Sequence, residues 1–540
     1  MRKDVRRRDL LALAALSVSG PAASGDAAMG DSASGDAATG NAASGNTGSE
    51  LIFVPRAMPE SLDPIATPTL ATRTAAFAVF ETLYGTDDAL NPRPQMVQSH
   101  RMDDEGAQWS FRLRPGLLFH DGAAVTAADC VASLRRWMAR DRVGQGVAAR
   151  LIALDATDRD TLTLRLKKPL PMMPAILARA TPAPPVIMPA RLAETDPGEK
   201  VAQVIGSGPF QIEGFAWNPG MELRLSRFDR YVPRTDIALF TGGRRIARVD
   251  RVIWRMVDDP AAALRAGKVD WVETLPPDPD ALRADDAAVT TRREEKLGYY
   301  ALLRLNARSG STANRGIRQA ILAAIDQTAI MLKLFGLNTD AFTTPVGLFP
   351  PTTDSASEAG MERTGARQSP RTIRTALQEA GYRGEKLIML TLAGDAFHAR
   401  MTAAVIEQLT ELGIGFEEQT LDRAAFDARR GERDGWSAFC ASVSGADHAD
   451  PLSIPAARGS AATTWFGGPD DAEAERLRDS WIDMPDLSRR RAIAARLQDQ
   501  VFRTASFVPL GQWFPVSAWR TAMNTPLPGP FPVFWDVGRK

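Results

Sequence analysis

From residue 108 the chain alternates: Trp109, Phe111 and Leu113 are apolar, and the residues between them are polar. Period two marks a strand with one buried face. Arg114-Pro115-Gly116 and Asp121-Gly122 are turn chemistry, and beyond them the period changes. Cys130, Val131, Leu134, Trp137 and Met138 fall on one helical face. Thr126, three residues before Asp129, predicts the N-cap, with an acidic side chain over the first turn. Phe111–Leu134 therefore reads as a strand, a tight loop and the start of an amphipathic helix.

The same switching of period recurs along the chain. Leu51–Val54 predicts a short apolar strand that opens the ordered protein, and Ala71–Leu83 a helix; Leu162–Leu166 and Met221–Leu225 alternate as strands. Ile317, Ala320, Ile321, Ala324 and Ile325 form a helical stripe that core packing explains. Ser369-Pro370 starts a helix that Gly381 ends. Strand Leu387–Leu392, helix Ala396–Leu412 closed by Gly413, and strand Ile414–Gln419 make a βαβ unit. Such units build mostly parallel sheets with crevices at their edges.

At 540 residues the chain is too long for one ordinary core, so two or three domains are expected. Lys+Arg and Asp+Glu both number 65, which leaves no net field for nucleic acid or an anionic membrane. Arg6-Arg7-Arg8 before the short apolar run Leu10–Val18 and the small residues after it predict a signal peptide, not a membrane span. The paired arginines before Leu10-Leu11 point to the twin-arginine route. No cysteine follows the run, so no lipoprotein anchor is expected. Residues 24–50 repeat Ser24-Gly25-Asp26, Ser34-Gly35-Asp36 and Ser44-Gly45-Asn46, composition too polar and small to offset its ordering entropy. Cys130 and Cys440 sit far apart in apolar contexts and read as buried free thiols, with a disulfide, which an oxidising compartment permits, unsupported by their spacing.

Phe111, Leu113, Arg114, Gly116, Phe119, His120, Asp121, Gly122, Thr126, Ala127, Asp129 and Ser133 match, position by position, the pattern F-x-L-R-x-G-x-x-F-H-D-G-x-x-x-T-A-x-D-V-x-x-S. That block resembles the signature of the large solute-binding proteins that deliver peptides, nickel and related solutes to ABC importers. Gly206-Ser207-Gly208-Pro209-Phe210 resembles the family's G-T-G-P-[YF], its glycines permitting a sharp turn. No Lys-Ser/Thr follows, so it is not a phosphate loop. Phe228-Asp229-Arg230-Tyr231 stands where the family has N-x-x-Y-W, with Val232 in place of Trp. Ala263–Asp270 and Arg318–Asp326 also match.

The resemblance implies an α/β, two-lobed periplasmic-binding-protein fold with a hinge and an extra subdomain inserted in the first lobe. It divides the chain into a signal peptide (1–23), a flexible leader (24–50), first lobe (51–90), insert (91–205), first lobe again (206–298), second lobe (299–506) and a return to the first lobe (507–540). It also implies a ligand buried between the lobes. An acidic residue four before a Pro takes the α-ammonium in peptide-binding members. Asp447, in Asp447-His448-Ala449-Asp450-Pro451, falls on that position, and Asp450 is the weaker candidate. Peptide binders often carry Trp three residues earlier, where this chain has Ser444; Trp436 and Trp465 are the rings that could compensate. His120 and Asp121 recur across members with varied ligands, which implies a folding role.

The expected protein is thus a periplasmic, monomeric solute-binding component of an ABC importer, handing short peptides or similar amine-bearing solutes to inner-membrane permease subunits. No catalytic residue, metal site, cofactor or nucleic-acid partner is expected. A non-peptide solute such as a metal chelate, opine or oligosaccharide is the alternative on the same fold. An exported hydrolase is remote: His100, His120, His398 and His448 are scattered, and neither H-E-x-x-H nor G-x-S-x-G occurs.

Overall fold

The structure, a computed structural model, describes residues 49–214, 217, 220–275, 287–294, 296–364, 368–455, 457–459 and 466–540. The expected signal peptide, and all of the leader but Ser49 and Glu50, lie outside them.

β1 (Glu50–Val54) buries Leu51, Phe53 and Val54. α1 (Leu70–Val79) is capped by Thr69, whose hydroxyl accepts the Thr72 N–H, and its last five residues are buried. The helix ends four residues before the expected Leu83, because Phe80 is extended and Glu81–Thr82 pairs with Val186–Ile187. The insert then forms: β2 (Val97–Asp103), β3 (Gln108–Leu113), α2 (Ala127–Arg140), α3 (Arg142–Arg150), β4 (Leu151–Ala156) and β5 (Thr161–Leu166). Its sheet is antiparallel, in the order β2-β3-β5-β4, with α2 packed against β4 and β5. Trp109, Phe111 and Leu113 all point into the core, as period two requires. Thr126 and Asp129 form a capping box, and the predicted face of α2 is buried throughout.

The chain next lays down β6 (Phe210–Ile212), β7 (Leu223–Arg227), β8 (Arg251–Trp254), β9 (Trp271–Val272) and β10 (Val289–Arg293). It crosses to a second sheet with β11 (Tyr299–Leu305), followed by α4 (Arg315–Ala324), β12 (Phe342–Thr343), β13 (Leu387–Leu392), α5 (Ala396–Thr410), β14 (Phe416–Leu421) and β15 (Ala438–Ser444). α6 (Ala472–Ile482) and α7 (Leu487–Thr504) lead to β16 (Phe507–Trp513) and β17 (Val516–Arg520). The first lobe's sheet runs β6-β7-β8-β1-β9-β17-β10, and the second lobe's runs β12-β16-β11-β15-β13-β14. In the first lobe, Phe53 meets the rings of Trp254, Trp271 and Phe534 at 5.0–5.1 Å between centroids, so β1, its neighbours and the tail share one core.

The predicted βαβ unit is present: β13 and β14 pair in parallel from Leu387↔Phe416 to Leu392↔Leu421. β14 starts two residues later than expected, because the Ile414 N–H still bonds the Leu409 carbonyl of α5. The return to the first lobe, expected from Phe507, begins only at Val516. β16 is fully buried in the second sheet, paired with β11 from Arg304↔Phe507 to Tyr299↔Trp513. Two strand-to-strand crossings among the described residues therefore join the lobes side by side, one through Glu294 and Lys296–Gly298 and the other through Phe514–Pro515. A hydrogen bond from the Glu294 N–H to the Pro515 carbonyl ties them at 3.0 Å.

Candidate functional site

The motifs that carry the resemblance converge on one buried carboxylate, Glu81, at the end of the first short segment of the first lobe. Its Oε1 accepts from Tyr231 at 2.9 Å, Gln95 at 2.9 Å and Arg114 at 3.3 Å; its Oε2 accepts from Ser207. Arg114 comes from the signature block, Ser207 from the glycine loop and Tyr231 from the following motif. A buried carboxylate needs this many donors, so these residues weld the insert to the first lobe. His120 does the same: its Nδ1 accepts the Gly206 N–H, which leaves Nε2–H to donate to the Gly208 carbonyl at 3.1 Å. Burial holds its pKa down at about 4. The glycines there serve close approach, not the expected sharp turn. A Cβ on Gly206 would lie 2.0 Å from the Val79 carbonyl oxygen at the end of α1.

Between the lobes lies a cavity of about 650 Å³. Ile65, Pro68, Arg140–Arg142, Pro182 and Ala183 line it from the first lobe and insert; Leu302, Val443, His448 and Phe466 are among those that line it from the second. Charged side chains share this wall with apolar ones, so it can both bury a small solute and orient it.

Asp447 faces this cavity, in the single 3₁₀ turn Gly445–His448 that follows β15. Its carboxylate is already met: Arg73 of α1 donates Nη1 to Oδ1 and Nη2 to Oδ2, both at 2.8 Å. The pair bridges the lobes and is nearly dry, with the two side chains 2% and 14% exposed. Two parallel charge-assisted bonds are the strongest arrangement open to an arginine and a carboxylate. Sequence spacing located Asp447, but nothing in the sequence links residue 73 to residue 447.

Of the other candidates, Ser444, Trp436 and Asp450 sit around the cavity, not in its described wall. Ser444 ends β15 with its hydroxyl accepting the Ala446 N–H, a cap for the turn that presents Asp447. Trp436 is 2% exposed, gives its Nε1–H to the Glu432 carbonyl, and packs on Phe439. It backs a wall made by Glu432, Phe466 and Gly467. Trp465 lies outside the described residues. Asp450, partly exposed, meets Arg179 at 3.1 Å and Ser453 at 3.1 Å, and these partners hold its pKa below the usual carboxylate range against the opposing pull of desolvation. It lines a neighbouring cavity of about 90 Å³.

His448 gives its Nδ1–H to the Leu348 carbonyl at 3.0 Å and stacks on Tyr300, and burial pushes its pKa down to about 4. His398 bonds the Cys440 carbonyl. Both cysteines are buried and unpaired; burial pushes the Cys440 thiol up to about 12 and raises that of Cys130. Among the described residues no three His, Cys, Asp or Glu are grouped to hold a metal, and no helix is long and apolar enough to cross a membrane.

Residues 91–462 match the model of the bacterial extracellular solute-binding proteins, family 5. The probable peptide ABC transporter periplasmic-binding protein y4tO of Sinorhizobium fredii is 32% identical over 488 residues, covering 88% of this chain and 91% of its own. Among solved structures, the agropinic-acid complex of AgaA from A. tumefaciens R10 superposes with a TM-score of 0.75 at 21% identity, covering 91% of this chain and 99% of its own. DppA of Helicobacter pylori, in complex with the peptide STSA, reaches a TM-score of 0.74 at 20% identity, covering 91% and 98%. At those identities the structures establish the two-lobed fold.

Proposed function

The chain belongs to the bacterial extracellular solute-binding proteins, family 5, and from that premise we propose that it captures short peptides or similar amine-bearing solutes for an ABC importer. The observation that carries the reading is the cavity of about 650 Å³ walled by both lobes, with Asp447 in its surface. A ligand enclosed there contacts both lobes at once, so it binds the closed state better and shifts the population toward it. The closed form then docks on the permease. A ligand ammonium reaching Asp447 shares or replaces Arg73 as its counter-ion.

Secretion by the twin-arginine signal, with cleavage ahead of the polar leader, delivers the protein to the periplasm as a monomer. Its action is capture and release without turnover. Native mass spectrometry of the exported protein, followed by gentle release of its cargo, is expected to yield a heterogeneous set of short peptides, unchanged on incubation. A single non-peptide mass would replace the peptide by a metal chelate, opine or oligosaccharide. Conversion of the released compound by the protein would restore the hydrolase reading.

A further inference from the structure

The charge of the cavity wall adds a specificity to this reading. Among its described residues are five arginines, Arg140 and Arg142 from the insert and Arg308, Arg433 and Arg458 from the second lobe. Its three carboxylates are each engaged by groups outside the wall or by backbone. Asp141 caps α3, its Oδ1 accepting the N–H groups of Val143 and Gly144 at 2.8 and 3.0 Å. Glu432 takes Arg429 at 2.5 Å, and Asp447 takes Arg73. Arg308 also has the Asp470 carboxylate at 4.0 Å and Arg142 donates to Gln145 Oε1, yet five guanidinium groups against three carboxylates leave the described wall with an excess of positive charge.

Arg458 sharpens the point. It is 8% exposed, and one Nη donates to the Leu452 carbonyl at 3.3 Å, the same oxygen that accepts from the buried Arg478. Burial and the adjacent Arg478 both disfavour its charge, while Asp141 and Glu475 oppose them only through longer-range attraction. A buried guanidinium without a contacting carboxylate is costly, and an anion brought to it removes that cost. Arg140 and Arg142 line the cavity from the insert, and Arg308, Arg433 and Arg458 line it from the second lobe. Like charges on facing surfaces resist closure unless an anion lies between them.

We infer that this cavity selects solutes bearing two or more carboxylates, one held at Arg458 on the second lobe and another at Arg140 and Arg142 on the insert. The inference rests on the cavity being the ligand site. Acidic short peptides and non-peptide polycarboxylates share the required chemistry.

The test is calorimetric titration of the ligand-depleted exported protein with Ala-Ala-Ala, Lys-Ala-Lys, Glu-Ala-Glu and tricarballylate. Glu-Ala-Glu is expected to bind at least tenfold tighter than Ala-Ala-Ala, with affinity falling steeply as salt rises. Arg458→Gln should remove most of that preference. Arg433→Gln, at an exposed position where folding is not at risk, should reduce it severalfold. Binding of tricarballylate with no peptide bound would keep the inference and overturn the peptide reading. Equal binding of Ala-Ala-Ala, or preference for Lys-Ala-Lys, would overturn the inference and leave the peptide reading intact. Failure of both acidic probes to bind at millimolar concentration overturns it as well.

Discussion

At the scale of single residues, the side chains that define the sequence motifs act on the fold. His120 stitches the signature block to the Gly206–Pro209 loop, and Glu81 gathers Arg114, Ser207 and Tyr231. Neither grouping faces the cavity. Histidine supplies a direct test, because His120 and His448 are both held neutral by burial, with folded pKa values of about 4 against an ordinary 6.5. The unfolded chain binds more protons between those values, so stability is lost as pH falls from about 6.5 to about 4. Each residue accounts for up to about 3 kcal/mol of that loss. Thermal unfolding midpoints should drop across this window. His120→Gln and His448→Gln should each flatten the slope, whatever they do to the midpoint at pH 7; slopes equal to the parent's would assign the acid sensitivity to other groups.

Among the elements, the decisive ones are the two short crossings between the sheets. Gly298, which ends the first crossing, has φ of +44°, and a Cβ there would lie 2.3 Å from the Trp513 carbonyl oxygen of the second. Its own carbonyl accepts the Gly445 N–H at 2.8 Å, so the crossing also holds the turn that presents Asp447. Gly298→Ala is expected to cost about 1–3 kcal/mol through backbone strain and displacement of the paired strand, read as a lower midpoint in urea unfolding. An unchanged midpoint would mean that the crossings have slack. The signals at this scale were largely present in the sequence. Thr126 and Asp129 marked a helix start that the structure builds as a capping box, and the period-two strands at 109–113 and 162–166 were readable because each buries one face. Element ends were less legible. α1 stops early because Glu81–Thr82 finds a strand partner more than a hundred residues away, at Val186–Ile187, and no local propensity encodes that.

For the whole molecule, three arginine–aspartate pairs among the described residues span the lobes, each with the arginine on the side of the first lobe or its insert. They are Arg73–Asp447, Arg179–Asp450 and Arg150–Asp483. Each ties the two lobes together in this structure, so each favours the arrangement in which the lobes touch. In Asp447→Asn, a closed interface would retain Arg73 without its counter-charge, a penalty on the order of 3–5 kcal/mol that opening the lobes relieves by rehydration. The ligand-free variant is therefore expected to show a larger radius of gyration in X-ray scattering, with an almost unchanged thermal midpoint. Its affinity for a confirmed amine-bearing ligand should weaken by about 1.5–3 kcal/mol. Parent-like scattering together with parent-like affinity would remove Asp447 from both roles.

By itself the sequence marked the main elements, the family and Asp447 as a candidate, because periodicity, caps and turn residues act over a few neighbours and a motif is a local string. Tertiary structure alone decided what those residues meet. Folding sets Arg73 against Asp447 across 374 positions, spends Ser444 on a cap, places Trp436 behind the wall, and gathers five arginines from two lobes around one cavity. A chain that is neutral overall, with 65 basic and 65 acidic side chains, thereby acquires one cavity whose described wall carries more basic than acidic groups. Charge balance is a sum over the sequence, whereas the field in a cleft depends on which charges folding brings within a few ångströms and which it buries with partners.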